Sequence, residues 1–508
     1  MESFTTTVAL IGVVIVVASL LSGALERAGL PLVAVFLALG ALLGPYGLNL
    51  LDIGFDSSAL HALAMLGLAL LLFSDAVTID LKQVRVEKHL LWRLLGPGTL
   101  IPAAIVTIAA RFILELPWPA AAILGAALAS TDAVLLRGAF RSGAMPERAR
   151  TALRIETGAN DVLLLPIVVL AILALRAHVS GDPVPGKDIG RSVVGLFLLG
   201  PLLGATVGWL GIVALDQIRS KLGVRRDYES LYALGLAFSS FALAESVGGS
   251  GFLAAFAAGI MVSSQDVELC DCFLEYGEAT AEMLLLLTFV ALGTSLIWTG
   301  FSILGARTIV FTVIALTVRT VVLYPVLKGT STTERERRMI ALFGPRGLSS
   351  LLLTLLPVFA GVPGSEQLFT VACLVVLCSI VLHGGGITIF LRRAMQRANL
   401  ASAVPAGVIA PSSAPEPMPR TAARASLPIA ESPTQTTSEN DIRITIEEML
   451  RLKEHSEEII VVDARADRSL RRDDLKAAGA IRIDPDHPVR DAKALKLSQN
   501  ATLVLYCA

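Results

Sequence analysis

Charge is scarce in this chain. Asp, Glu, Lys and Arg make up 17% of its 508 residues against 54% hydrophobic, a balance outside the range of ordinary soluble domains. The charges that exist nearly cancel, to a formal −1, so there is no basic excess of the kind that binds nucleic acid. Histidine is rarer still, at six, and the five cysteines (Cys270, Cys272, Cys373, Cys378, Cys507) are scattered. That spacing excludes a disulfide framework. Cys270-x-Cys272 lacks the second pair or nearby histidine that a zinc site needs, and no cofactor is implied. No basic flank precedes the first apolar run, and a second follows within a few residues, so it reads as a retained helix rather than a cleaved signal.

Long apolar runs are what the chain has in abundance. A spanning helix needs about 20 such residues. About thirteen runs qualify, near 6–25, 31–49, 59–79, 89–114, 118–140, 150–176, 191–217, 228–247, 250–264, 276–298, 300–328, 336–360 and 366–391. The expected fold class is therefore an all-α polytopic membrane protein. Lysine and arginine cluster in alternate loops: Lys82, Arg85 and Lys88; Arg137, Arg141, Arg148 and Arg150; Arg219, Lys221, Arg225 and Arg226; Lys328, Arg335, Arg337 and Arg338. Only the loop with Lys187 and Arg191 dissents. Because such residues concentrate on the cytoplasmic side, the amino terminus is expected outside and the carboxyl terminus inside.

Six runs on either side of the seventh allow two six-helix repeats of inverted topology. The second, from Pro31 to Gly40, echoes the ninth, from Ser250 to Gly259. The fifth is interrupted at Ser130-Thr131-Asp132 and its counterpart, the twelfth, at Gly344-Pro345-Arg346-Gly347. Paired interruptions free backbone groups that ions, water or neighbours must satisfy, and they are the strongest pointer to a transport site. A second signal lies in the sixth run, at Glu156-Thr157-Gly158-Ala159-Asn160-Asp161. An ionisable side chain near the bilayer centre costs roughly 2.5–3.5 kcal/mol even on insertion scales, so such residues face a cavity or a partner. Four-residue spacing stacks Thr157 on Asp161 and Glu156 on Asn160.

The composition changes after the membrane region. Residues 1–395 form that region, 396–439 an Ala-, Pro- and Ser-rich linker, and 440–508 a small α/β segment. In the last, 444–453 reads as an amphipathic helix, and 458–463, 480–483 and 501–506 as strands. The terminal strand with no helix behind it reads as unfinished.

Taken together, Ser130-Thr131-Asp132, Glu156-x-x-x-Asn160-Asp161, Glu245 to Ala254 and Gly344-Pro345-Arg346-Gly347 resemble the NhaP-like sodium/proton antiporters, the electroneutral branch of the cation/proton antiporter superfamily. The resemblance covers roughly residues 6–394. It implies an NhaA-like fold with discontinuous crossing helices, a multi-pass plasma-membrane location, a homodimer, and exchange of Na+, or Li+ or K+, for H+. It implies that Asp161 is the carboxylate that takes either the cation or the proton. Thr131 then offers a carbonyl or hydroxyl and Thr157 a hydroxyl, while Asp132 is a nearby charge and Asn160 replaces an aspartate of the electrogenic branch. It pairs Glu156 with an arginine, for which Arg346 is the first candidate and Arg319 the second. The chain departs from the pattern at Ser74-Asp75 in the third span, where relatives place a glutamate. The tail, through Val461 to Arg465, Ala478 to Ile483 and Leu503 to Cys507, resembles the first part of a rhodanese domain without the loop after Cys507, so no sulfurtransferase activity is expected.

One carboxyl group that binds either a proton or a hard cation, exposed to each side in turn, is enough to couple the two fluxes. With Asn160 neutral, one-for-one exchange moves no net charge. Plainer roles compete for each residue: Asp132 as a cap on the half-helix that follows it, Glu156 and Asn160 as structural partners, and Glu245, Glu278 and Glu282 as solvated surface. A passive channel, a membrane-tethered sulfurtransferase and a K+/H+ antiporter for potassium efflux with a redox- or sulfur-sensing tail are the alternative functions.

Overall fold

In lipid every backbone polar group must be bonded internally, which is why apolar runs of this length become helices. The computed structural model describes residues 32–51, 53–79, 81–132, 134–136, 139–140, 145–181, 186–222, 226–265, 271–386, 459–463, 480–483 and 502–506, with a few isolated positions. The expected first span, the 396–439 linker, the 444–453 helix, Cys270 and Cys507 lie outside these residues, as do the side chains of Cys272, Glu278 and Glu282. The chain divides into two units, Met1–Ile409 and Ala410–Ala508.

The first unit is helical. Its principal helices are α1 (Leu32–Leu43), α2 (Ser58–Val77), α3 (Lys88–Leu95), α4 (Pro97–Ile113), α5 (Trp118–Ala129), α6 (Glu147–Ser180), α7 (Gly200–Leu222), α8 (Arg226–Ser246), α9 (Gly251–Ser264), α10 (Asp271–Thr294), α11 (Ala306–Val326), α12 (Glu334–Leu342), α13 (Leu348–Phe359) and α14 (Glu366–Ser379). Among the described residues, six helical stretches are long and apolar enough to cross a bilayer, or seven if the pair bent by 50° at Thr294–Leu296 counts as one. Five others, including α5, α9 and α13, are apolar but shorter. Half-helices on either side of an interruption have this length.

Local chemistry sets the ends. The Ser57 hydroxyl caps α2 through the Leu60 amide at 3.3 Å, and Ser250 caps α9 through Leu253 at 3.4 Å. Glu245 does more than sit at a surface, because its Oε1 accepts from the Gly251 amide at 2.8 Å. Thr333 and Glu336 form a reciprocal capping box at the start of α12. Beside it, the Arg338 guanidinium bonds Glu334 one turn away and holds that carboxyl below its ordinary range.

The helices pack as two groups. In one, α5 lies against α4, α6 and α13, α4 against α11, α6 against α12, and α13 against α14. In the other, α9 lies against α2, α7 and α8, and α10 against α1, α2 and α8. Helices α2 and α6 meet where the groups adjoin. The second unit contains a parallel three-stranded sheet in the order β2-β1-β3, from β1 (Ile459–Asp463), β2 (Ile481–Arg482) and β3 (Thr502–Tyr506). These are the three strands read from the sequence.

Candidate functional site

A helix interrupted inside an apolar bundle leaves orphan carbonyls at one end and orphan amides at the other. Helix α5 stops at Ala129 and the chain runs extended through Ser130 and Thr131; α12 stops at Leu342 and resumes as α13 only at Leu348. The two interruptions touch, since the Asp132 amide donates to the Pro345 carbonyl at 2.9 Å. Each then serves the other's helix end. Arg346 Nη1 donates to the carbonyls of Ala129 (2.8 Å) and Ser130 (2.9 Å), at the carbonyl end of α5. The Asp132 carboxylate accepts the Leu348 amide at 2.6 Å, at the amide end of α13. A third end, that of α12, is held by Arg319 Nη1 on the carbonyls of Ile340 (2.9 Å) and Ala341 (3.0 Å). Each charge has the sign that the helix dipole favours at its position.

This explains the Gly-Pro-Arg-Gly spacing. A Cβ on Gly347 would run into the Asp132 carboxylate, and one on Gly344 into the Arg319 guanidinium. Gly347→Ala is expected to push Asp132 off the Leu348 amide and cost about 1–3 kcal/mol, the usual penalty for overpacking. Thermal unfolding in detergent reads it as a lower midpoint. Gly235→Ala, where a Cβ meets open space, is the unaffected control.

Helix α6 crosses beside the interruptions and buries one polar face: Glu156 is 2% exposed, Thr157 4%, Asn160 1% and Asp161 3%. Asp161 Oδ1 accepts from the Ser130 hydroxyl, and the Ser349 hydroxyl of α13 faces the same carboxyl. Asn160 Nδ2 donates to the Thr131 hydroxyl at 2.7 Å. Its Oδ1, like the Ser350 hydroxyl, is buried with no protein partner. The site thus joins α6, the fifth-span interruption and the start of α13.

The order of two candidates needs correction. Glu156 pairs with Arg319, the second candidate, and not with Arg346, the first: Arg319 Nε and Nη2 donate to its two carboxylate oxygens at 2.6–3.0 Å. Arg346 is engaged instead by the α5 carbonyls. The Asp132 carboxylate caps a half-helix of another span, α13.

The other expected residues divide. Thr131 and Asn160 are brought together with Asp161's neighbour Ser130. The Thr157 hydroxyl donates to the Arg154 carbonyl of its own helix at 3.1 Å, which leaves its oxygen lone pairs free. Asp75 lies across from the α6 glycine between them: a Cβ on Gly158 would be 3.1 Å from the Asp75 Cβ and 3.8 Å from its Oδ2. Ser74 is buried on α2. Ser130 was read only as part of the Ser130-Thr131-Asp132 interruption, without a role for its hydroxyl, and Ser349 was not singled out, although Leu348-Ser349-Ser350 directly follows the second interruption, where hydroxyls at a half-helix start are the visible signal.

The donors gathered here are carboxylate, hydroxyl, amide and backbone oxygens, which suit a hard cation and not a soft one. Among the described residues no group of three or more His, Cys, Asp or Glu side chains is placed to hold a metal ion. What the geometry offers is one buried carboxyl beside two hydroxyls and an unpaired amide oxygen, at the meeting of two interrupted helices.

The chain is similar to known proteins. The family model described as "Sodium/hydrogen exchanger, transmembrane" matches residues 13–393. A protein of Shewanella sp. (strain ANA-3) named K(+)/H(+) antiporter NhaP2 is 27% identical over 390 residues, 75% of this chain and 65% of that protein. The K(+)/H(+) antiporter NhaP of Alkalimonas amylolytica is 26% identical over 393 residues, 76% of this chain and 67% of that protein. This chain thus spans about two thirds of the length of such relatives. In structure it resembles the sodium proton antiporter MjNhaP1 of Methanocaldococcus jannaschii, at a TM-score of 0.58 and 19% identity, over 76% of this chain and all of that one. That likeness concerns the fold.

Proposed function

Since the chain belongs to the sodium/hydrogen exchanger family, we propose that it exchanges a monovalent alkali cation for protons across the membrane, with both competing for Asp161. The observation that carries this reading is the placement of that carboxyl. It is buried at the meeting of two interrupted helices, bonded by Ser130 and faced by Ser349, with the Asn160 Oδ1 left unpaired in the same neighbourhood. A proton or a cation on the carboxyl cancels its charge, and only one of them fits at a time. Thr131, Thr157 and the α13 hydroxyls are the remaining oxygens for the cation, with Asp75 as the contribution of α2. Asp132 acts by holding the crossing together.

The finer architecture follows from the same reading. The seven long stretches, with the bent pair taken as one span, the five short apolar helices and the first run make the thirteen spans, and the reciprocal bonds between the fifth and twelfth support two inverted repeats. The two packing groups, adjoining at α2 and α6, are the bodies whose relative motion exposes Asp161 to each side in turn. The positive loops support an amino terminus outside and a carboxyl terminus inside, in the plasma membrane, and the protein acts as a homodimer. With Asn160 neutral the exchange is electroneutral. The parallel sheet of the second unit supports the rhodanese-like reading of residues 440–508.

Potassium is the second reading for the cation, favoured by the names of the Shewanella and Alkalimonas relatives. Proteoliposomes with a trapped pH dye test both. Adding Na+, Li+ or K+ is expected to move protons outward against the cation, without a membrane current, and the apparent KM for the preferred cation rises as pH falls. A cation current with no proton countermovement identifies a channel instead.

A further inference from the structure

The cleft that opens between α11, α12 and the turn after α14 has a divided lining. Its volume is about 1100 Å³, and Leu316, Val321, Met339, Leu342 and Leu382 give it an apolar wall. Three of these are bare: Val321 is 68% exposed, Leu342 57% and Leu382 61%. In water, large apolar side chains gathered in the open mark a surface that something covers. Val321 stands on Ala306–Val326, a stretch long and apolar enough to cross a bilayer, where acyl chains are as good a solvent as another leucine.

The rest of the lining is charged. Arg335 and Arg338 stand three residues apart on α12 and so share a face, both exposed. Arg335 makes no ion pair among the described residues, and Arg338 bonds Glu334 through Nη2. That pair lies open to solvent and engages one nitrogen of a guanidinium with five N–H donors, so donors remain for a second partner. With Glu334 set against the two arginines, the lining keeps one net positive charge. The threonines beside them offer no competing donor: Thr317 donates to the Val313 carbonyl at 2.7 Å and Thr320 to the Ala341 carbonyl at 3.0 Å. Recognition of an anion here falls to the arginines.

We propose that this cleft is a binding site for one anionic phospholipid, with its phosphate on Arg335 and Arg338 and an acyl chain along Val321, Leu342 and Leu382. Guanidinium groups meet phosphate oxygens through paired N–H bonds, a geometry that a single ammonium cannot supply. A free phosphate would leave the apolar wall bare, and a neutral lipid would leave Arg335 without a counter-charge. The cytoplasmic leaflet carries the negative surface potential, and basic loops such as 328–338 concentrate on that side, so lipid and site meet at one face of the membrane. A lipid seated there ties α12 to α11 beside the Ala341 carbonyl, which Thr320 and Arg319 already hold.

Native mass spectrometry of the purified full chain, offered equal amounts of phosphatidylglycerol and phosphatidylcholine in detergent, reads the site directly. Wild type is expected to retain one phosphatidylglycerol per chain in preference to phosphatidylcholine, and phosphatidylglycerol is expected to raise its thermal midpoint. A basic residue near a membrane surface is worth about a factor of five in binding, so Arg335→Gln with Arg338→Gln is expected to lower that preference roughly thirtyfold. Both side chains are exposed, so the lipid-free midpoint stays close to that of wild type. Arg335→Gln alone, which breaks no ion pair among the described residues, gives the smaller step of about fivefold. Thr317→Trp, at an exposed position in the lining, fills the cleft while keeping both arginines and is expected to lose both lipids. The proposal is overturned if the double variant keeps the wild-type preference, if wild type holds phosphatidylcholine equally well, or if Thr317→Trp retains phosphatidylglycerol as before. It is overturned too if inorganic phosphate raises the midpoint as much as phosphatidylglycerol does, which makes the arginines a site for free anions. No transport step enters the readout, so its failure leaves the exchange reading standing.

Discussion

Asp161→Asn is expected to reduce cation-driven proton movement to the level of empty vesicles, the largest effect of any single change in this protein. Asparagine has nearly the shape of aspartate, and its side-chain oxygen can still accept from the Ser130 hydroxyl, so the helix crossing survives and the thermal midpoint stays close to that of the parent. What disappears is the charge. A neutral amide neither takes up a proton near physiological pH nor offsets the dehydration of a cation, so both substrates are lost together. Asp132→Asn provides the contrast. There the amide oxygen can still accept the Leu348 amide, and the loss is of the charge that complements the start of α13, so exchange is expected to slow without vanishing. If Asp161→Asn exchanges as fast as wild type, the carboxyl has been assigned to the wrong residue; if Asp132→Asn is the silent one, the roles of the two are reversed.

The arrangement around these carboxylates accounts for what could be read in advance and what could not. Apolar runs, short polar interruptions and a carboxylate inside a spanning helix are properties of the chain taken locally, so the helices, the interruptions and the burial of Asp161 are legible in it. That Asp132 caps α13 is not, because a cap is normally sought in the residues that follow, and these orphan amides come from a helix more than two hundred positions away. The two arginine candidates for Glu156 were ranked in the wrong order for a related reason. Arg346 stands in an extended stretch, where no helical period says which way a side chain points, and the nearest unbonded groups were the carbonyls of α5. Arg319 stands mid-helix, but its register against α6 depends on how α11 and α12 pack, which the sequence does not contain. The Ser349 hydroxyl carries no local signal except its nearness to the interruption.

Three of the four helix ends at the crossing are held by a charge borrowed from another segment: α5 by Arg346, α13 by Asp132 and α12 by Arg319. Because each charge belongs to a different span from the helix it serves, the two interruptions are bonded to each other and to α11. Helix α2 meets α6 on the other side, with Asp75 against Gly158.

Breaking the Arg319–Glu156 pair is expected to have the largest effect on stability. Arg319 is 3% exposed and Glu156 2%, and one guanidinium serves both carboxylate oxygens and two carbonyls at the end of α12. Removing one member of a buried pair leaves the other charged and unpaired, which costs about 3–5 kcal/mol, whereas replacing both by apolar groups is often nearly neutral. Arg319→Ala therefore destabilises by at least that range, because it also strands the Ile340 and Ala341 carbonyls and empties the space beside Gly344. Glu156→Gln is milder, since an amide oxygen still accepts from the guanidinium. Arg319→Lys does not rescue: one ammonium cannot reproduce the fork that reaches a carboxylate on one side and a helix end on the other. Thermal unfolding of the purified protein gives the order, with Arg319→Ala and Arg319→Lys well below Glu156→Gln and Glu156→Gln below wild type. A lysine variant as stable as wild type would mean that charge alone holds this junction and that the bonds to α12 contribute nothing.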